Sequence, residues 1–302
     1  MRTVLVTGAN GFIGRHTLPH LLDLGLVVHA VDREPFRTSP NVTMHAVDLL
    51  SSDAVAELIA EVRPTDLLHL AWYVAHGKFW NSFDNFRWVD ASLGLLTAFA
   101  KAGGRRWLGV GSCAEYDWTW SGPMDEHSTP LCPRSIYGAA KAGLYMMARE
   151  VARELGVSMA WARLFHTYGP HERPERLAPA VIRALLDDKP ALCSHGAQIR
   201  DFMYVDDVGR ALATVLGSSH DGAVNVCSAQ HVSVREFVNL AAAVVGRPEL
   251  VRFGELAASP GEPDVLVGQA GILNSLGFSP AHPLDSGIRA TVQWWIEQNA
   301  TL

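Results

Sequence analysis

The sequence predicts an α/β fold, a doubly wound parallel sheet followed by a smaller C-terminal lobe. Three observations predict it. Short apolar runs alternate with helix-like segments over the first two thirds of the chain. Gly8, Gly11 and Gly14, spaced three apart, follow directly on the first apolar run, Val4-Leu5-Val6. From about residue 166 the texture changes to short elements rich in Pro and Gly (YGPHERPERLAP, ASPGEPD, FSPAHP). With 302 residues, 48% of them hydrophobic, the chain can bury a core in one large domain or two closely joined lobes.

The elements follow in order. VLVT reads as the first strand and Phe12 to Leu24 as its helix, where Pro19 should cost a hydrogen bond and bend the axis. VVHAVD is the second strand, and MHAVD is a strand-like run after it. Asp53 to Val62 is a helix, DLLHLA the next strand, Phe86 to Ala102 a helix and WLGVGS a strand. A further helix opens at Ser135 and runs to about Leu155. These assignments put one domain at 1–165 and the smaller lobe at 166–193 and 229–302. The stretch 194–228 returns to the main sheet through IRDFMYVDDVGRALATVL. The sequence carries no internal repeat and no low-complexity tail.

The formal charge of -6 provides no broad basic face, so nucleic acid and anionic membrane are poor partners. No apolar run reaches the roughly 18 residues of a membrane span, and the start reads as a strand rather than a secretory leader. Four cysteines (Cys113, Cys132, Cys193, Cys227) lie far apart without a C-x-x-C pair, and the scattered histidines form no metal set. A reducing cytoplasm fits this usage.

In a strand-turn-helix unit, glycines permit a tight turn, let a pyrophosphate approach the backbone, and let the helix pack closely on the strand. The helix N-terminus then faces the phosphates. Gly8, Gly11 and Gly14 suit that work. Asp32 ends the second strand, where its carboxylate can accept the ribose hydroxyls of an adenosine, and Asp48 ends the next run, placed to sit beside the adenine. Arg33 could pair with a 2′-phosphate, which Asp32 would repel, so NAD is favoured over NADP.

Ser135-Ile136-Tyr137-Gly138-Ala139-Ala140-Lys141 supplies the second constellation. Four residues apart on a helix, Tyr137 and Lys141 share one face. An ammonium and a positively charged nicotinamide ring would stabilise the tyrosine as phenolate and so make it a proton shuttle.

TGANGFIG, HLA (69–71), Gly111-Ser112, YGAAK, the YGP of 168–170 and RDFMYVDDV together resemble, in order and over nearly the whole chain, the extended short-chain dehydrogenase/reductases that modify nucleotide sugars. The resemblance implies a Rossmann-type dinucleotide-binding domain, a C-terminal lobe for a nucleotide diphosphate sugar, and a homodimer built on the helices near 86–102 and 138–155. It assigns Tyr137 as acid/base, Lys141 to the nicotinamide ribose, and Ser112 to the reacting sugar oxygen. The cofactor set extends to Asn10, Phe12, Ile13, Leu49, Leu70 and Ala71. Arg200 matches a residue that contacts the diphosphate or nucleoside; the bland alternative is a salt bridge to Asp201 or Asp206.

Departures from that pattern narrow the chemistry. The 4,6-dehydratases of the group carry Asp-Glu directly after the Ser/Thr, whereas this chain has Cys113-Ala114. Glu115 comes one position late and, on a strand, would face away from Ala114. His166 replaces an amide that often touches substrate. A second phosphate arginine is missing near Ala258-Ser259-Pro260-Gly261-Glu262, which leaves Arg176, Arg183 or Arg252 as substitutes. Trp72, His76, Phe79 and Trp80, then Trp118 and Trp120, would line an apolar wall suited to a deoxysugar, with Cys113 beside them; core packing is an equal reading for each Trp. His166 and His171 could assist proton transfer.

These readings favour a 4-ketoreductase of a nucleotide-linked 4-keto-6-deoxyhexose. An NAD-dependent 4-epimerase is the alternative, and a non-catalytic dinucleotide sensor is a remote third.

Overall fold

The computed structural model describes residues 2–258 and 261–299. The first half alternates strand and helix: β1 (Thr3–Thr7), α1 (Phe12–Asp23), β2 (Val27–Asp32), β3 (Val42–Ala46), α2 (Ser52–Val62), β4 (Asp66–His69), α3 (Asp84–Lys101), β5 (Arg106–Ser112), α4 (Ile136–Glu154) and β6 (Ser158–Leu164). Later come β7 (His166–Tyr168), α5 (Leu177–Leu186), β8 (Ala191–Cys193), β9 (Ile199–Arg200), β10 (Phe202–Tyr204), α6 (Val205–Gly217) and β11 (Gly222–Val226).

Seven strands form one parallel sheet in the order β11-β6-β5-β4-β1-β2-β3. Their near-continuous apolar runs are what burial on both faces demands. One face is covered by α1 and α6 through Leu18, Leu21, Leu212 and Leu216; the other by α2, α3 and α4 through Leu58, Leu96, Phe99 and Leu144. The last sheet strand, β11, comes from beyond β7 to β10, so the chain leaves the sheet and rejoins it. Strand order reverses at β1, which lies between β2 and β4, and a ligand crevice opens at such a switch point beyond the carboxyl ends of the strands.

Pro19, where the sequence predicts a bend, lies inside α1, which runs as one helix from Phe12 to Asp23, and is on its exposed side.

The smaller lobe packs α5 against α7 (Val234–Val245) and, after a short α8 (Gly271–Ser275), α9 (Leu284–Asn299). Its core gathers Tyr168, Phe202, Tyr204, Phe237, Ile288 and Trp295. The short parallel pair β7-β10 joins this core to the crevice wall. Among the described residues no helix is long and apolar enough to cross a membrane.

Candidate active site

The β1-α1 turn forms one end of the crevice, and its construction requires glycine. Gly8 has φ +66°, and a Cβ there would lie 2.8 Å from Ala71 N, just past β4. At Gly14 a Cβ would lie 2.4 Å from Gly8 O, so the helix meets the turn at a distance only a hydrogen allows. Gly11 caps α1 without any side-chain bond, which leaves the first helical N–H groups for an anion. Phe12 and Ile13, half-buried, open the helix, while Leu70 and Ala71 close the wall at the end of β4, where Ala71 N donates to Thr7 Oγ1.

Asp32 ends β2 and accepts the backbone N–H groups of Asn10 (3.3 Å) and Arg33 (2.8 Å). Arg33 itself points out, exposed. Beyond β3, Asp48 is exposed and accepts Leu50 N, and Leu49 is buried. A backbone cradle, an uncapped helix start and a strand-end carboxylate fit the pyrophosphate and ribose of a dinucleotide, and the acid fits the unphosphorylated form.

Deeper in the crevice, β5 ends at Ser112 and α4 begins at Ser135, whose hydroxyl accepts Gly138 N at 3.0 Å. That cap is worth about 1 kcal/mol and fixes the helix start two residues ahead of Tyr137. Tyr137 and Lys141 then lie on the helix face turned to β5. The Ser112 hydroxyl lies near enough to the Tyr137 hydroxyl to favour its ionised form. Lys141 is 3% exposed and donates to Val110 O at 2.7 Å.

Burial pushes the Tyr137 phenol well above its usual range, more than the Ser112 hydrogen bond lowers it. Burial also pulls the Lys141 amine down to about 7. The phenol is therefore protonated at neutral pH, and the amine is poised near it. Around the phenol ring stand Phe79, edge-on at 4.9 Å, and Trp80, edge-on at 5.6 Å; Trp118 packs edge-on to Trp80 at 6.1 Å.

One expectation is corrected. Residues 113–115 form a 3-10 turn, not a strand continuation, because the Ser112 hydroxyl turns the chain by accepting Ala114 N. Glu115 is fully buried in that turn. Its carboxylate takes the Ser112 N–H at 2.9 Å, the Trp161 indole N–H at 3.0 Å and the Arg163 Nε–H at 2.8 Å. Arg163 also donates to the Tyr116 hydroxyl, which bonds Asn225. Glu115 thus belongs to a closed buried network behind the site.

The remaining substrate-side residues divide. Trp80 lines the phenol. Trp72 is buried with its ring centroid 3.7 Å from Lys141 Nζ. His76 is exposed on the connection after β4, and Trp120 is partly exposed. Cys113 is buried, its thiol pushed up to about 12, so it is inert as a nucleophile. His166 is held neutral, down to about 3, by burial and by Arg200 and Arg176. Its Nδ1 is buried without a hydrogen bond. His171, at φ +68°, packs on Trp294 and His16 near Arg15.

Arg200 is 2% exposed and pairs with Glu262 Oε1 at 2.6 Å, rather than with Asp201 or Asp206. Asp201 is committed to Ser228, Ala229 and Gly268, and Asp206 pairs with His20. In the stretch expected to carry a second phosphate arginine, Ser259 and Pro260 lie outside the described residues. Of the substitute arginines, Arg183 lies over Trp295 and Arg252 bonds Glu249 O. Arg176, 3.7 Å from Glu172, is the one whose charge reaches both Tyr137 and His166.

Three features escaped the sequence reading. Glu262 neutralises Arg200 from 62 residues away. Asn85, fully buried on α3, accepts the Trp72 indole N–H at 2.8 Å. His69 bridges Thr7 and Ser92 at 2.8 Å each. An amide or acid in a helix or loop carries no local signal of such a task.

Residues 4–227 match the sequence profile of the NAD dependent epimerase/dehydratase family. The chain is 26% identical over 350 residues to a dTDP-glucose 4,6-dehydratase of Neisseria meningitidis serogroup B, covering 98% of this chain and 94% of that protein. It is 26% identical over 308 residues to a UDP-glucuronic acid decarboxylase 1 of Xenopus tropicalis, covering 97% of this chain and 72% of that protein. Two solved structures share the whole fold. The UDP-glucose 4-epimerase of Thermus thermophilus, in complex with NAD, has a TM-score of 0.85 at 27% identity over 97% of this chain and 99% of that one. The dTDP-glucose 4,6-dehydratase DesIV of Streptomyces venezuelae, with NAD and TYD bound, has a TM-score of 0.86 at 25% identity over 99% and 98%. The glycine turn, the switch-point crevice and the Ser-Tyr-Lys set lie inside the matched region, and the chain belongs to the NAD dependent epimerase/dehydratase family, an NAD-dependent enzyme of the extended short-chain dehydrogenase/reductase fold.

Proposed function

We propose that this enzyme reduces the C4 ketone of a nucleotide-linked 4-keto-6-deoxyhexose. The observation that carries the reading is the fate of Glu115: with Ala114 before it and Arg163 holding it behind the site, Ser112, Tyr137 and Lys141 are left to handle protons. Dehydration would need an acid and a base directly after Ser112, where this chain has Cys113 and Ala114, so the chemistry reduces to hydride exchange at one carbon.

A bound reduced nicotinamide would supply the hydride. Tyr137, protonated at neutral pH, donates its proton to the ketone oxygen, and Ser112 donates a hydrogen bond to the same oxygen. Lys141 holds the ribose and offsets the charge left on the phenolate. Asp32 favours NADH over NADPH. Phe79 and Trp80 pack edge-on to Tyr137 and Trp118 to Trp80, and such an aromatic wall would suit a deoxygenated ring.

A 4-epimerase is the second reading, supported by the likeness to an NAD-bound 4-epimerase at 27% identity. Epimerisation requires the keto-sugar to turn over within the site, and the aromatic wall around Tyr137 works against that. The protein is purified without added cofactor and denatured, and the dinucleotide released is quantified. An empty site supports the reductase, and near-stoichiometric NAD would replace it with the epimerase. Tyr137→Phe should cut turnover about 10²- to 10⁴-fold with dinucleotide binding intact; unchanged regulation of a partner by that variant would favour the non-catalytic dinucleotide sensor. The proposed assembly is a cytoplasmic homodimer through α3 and α4, which leave Phe86, Met146 and Met147 exposed.

A further inference from the structure

Lys141 must be charged to serve Tyr137, yet it is buried at 3% exposure. The titratable groups around it give limited help. Glu115 attracts it from the turn after β5, but that carboxylate is already paired with Arg163. His69, facing it from β4, is held neutral at about 3 by burial and by Lys141 itself. Tyr137, one turn earlier on α4, is neutral as well. The Val110 carbonyl takes one of the three ammonium protons.

The face of Trp72 covers the ammonium, with its ring centroid 3.7 Å from Nζ. That indole is fixed: its N–H is held by Asn85 Oδ1, and the Asn85 amide donates to Phe79 O at 2.7 Å and Ser82 O at 2.8 Å. One buried side chain therefore sets both the ring over Lys141 and the backbone that carries Phe79 and Trp80 to the phenol.

We infer that Trp72, locked by Asn85, is a positioning residue for Lys141, its indole face replacing water over the buried ammonium and keeping the amine protonated and directed at the site. A carboxylate at this place would also hold the charge, but it would cancel the positive field that Tyr137 needs. An aromatic face stabilises the cation through its quadrupole without neutralising it. This inference rests on the catalytic reading of Lys141 and is independent of which sugar is reduced.

The chain has four lysines, Lys78, Lys101, Lys141 and Lys189, so NMR of protein labelled at the lysine Cε resolves each titration in the full chain without substrate or cofactor. Lys141→Met assigns the signal. Trp72→Met fills the space without a ring and should lower the Lys141 midpoint by about half to one pH unit. Trp72→Phe restores a ring and should return most of that fall. A purely structural Trp72 would make the Met and Phe variants titrate alike, and that result, or a Met midpoint equal to the wild type or higher, overturns the inference. Either result leaves the reductase reading to be decided separately by dinucleotide release.

Discussion

The two ends of the crevice hold charge by different means. At the dinucleotide end the work is done by backbone and by neighbours in sequence: Asp32 is held by the N–H groups of Asn10 and Arg33, and the phosphate cradle is a glycine turn with an uncapped helix start. At the sugar end two of the ionic side chains are answered by side chains far away in the chain. Arg163 answers Glu115 from 48 residues on, and Glu262 answers Arg200 from 62. The first end is built to receive charge from a ligand. The second is already largely neutral within itself, so what it admits depends on which of those pairs a ligand can open.

Breaking the Glu115-Arg163 pair tests the contrast most severely. Both side chains are essentially unexposed, at 0% and 1%. Glu115→Gln leaves a guanidinium buried without its counter-charge, and the expected loss of stability is about 3–5 kcal/mol. Urea unfolding measures it. A loss under about 1 kcal/mol would mean that water reaches the network and that Glu115 is near enough to the crevice to serve chemistry after all.

That contrast also explains what could be read from the sequence. Gly8, Gly14 and Asp32 were legible because each position is set by local backbone geometry with a fixed period. Tyr137 and Lys141 were legible because helical spacing puts them on one face. The conformation of Glu115 was not, since a strand and a 3-10 turn differ there only by where the Ser112 hydroxyl points. Nor was the pairing of Arg200, because the sequence offers Asp201 and Asp206 nearby and the fold brings in a third acid, Glu262, from a distant loop. Trp72 was assigned to the sugar wall, as apolar residues after a strand end usually are, and its contact with Lys141 depends on Asn85 in another element.

Lys141 sharpens the comparison from inside the site. Its amine sits at about 7 in the folded chain against an ordinary 10.5. Below pH 7 both states carry the proton and the folded chain bears the full cost of burying it. Between pH 7 and 10.5 the unfolded chain binds more protons, so this cost fades as pH rises. Three and a half pH units amount to about 5 kcal/mol, and the lost Val110 hydrogen bond and Trp72 contact offset part of that. Lys141→Met should therefore stabilise the protein by about 2 kcal/mol at pH 6 and, because about 4 kcal/mol of the burial cost is gone by pH 10, destabilise it by about 2 kcal/mol there, while turnover is lost. Unfolding curves at the two pH values check the sign. A variant less stable at pH 6 would show that the ammonium is better solvated than its burial implies.

The smallest expected effect bears on the sugar end alone. Arg200 Nη2 donates to Glu262 at 2.6 Å, and Gln198 donates to the other oxygen of the same carboxylate at 3.3 Å. If a diphosphate is to use Arg200, it competes with an internal carboxylate that is about one-third exposed and so only moderately held. Glu262→Gln weakens that competitor while keeping a side chain of the same shape. The expected result is a KM for the nucleotide sugar lowered about three- to tenfold, with kcat within a factor of two. A raised KM would reverse the assignment: Glu262 would then be aligning Arg200 rather than competing for it, and the sugar end would resemble the dinucleotide end in being pre-set for its ligand. An unchanged KM would move the diphosphate to Arg176, the arginine whose charge already reaches Tyr137 and His166.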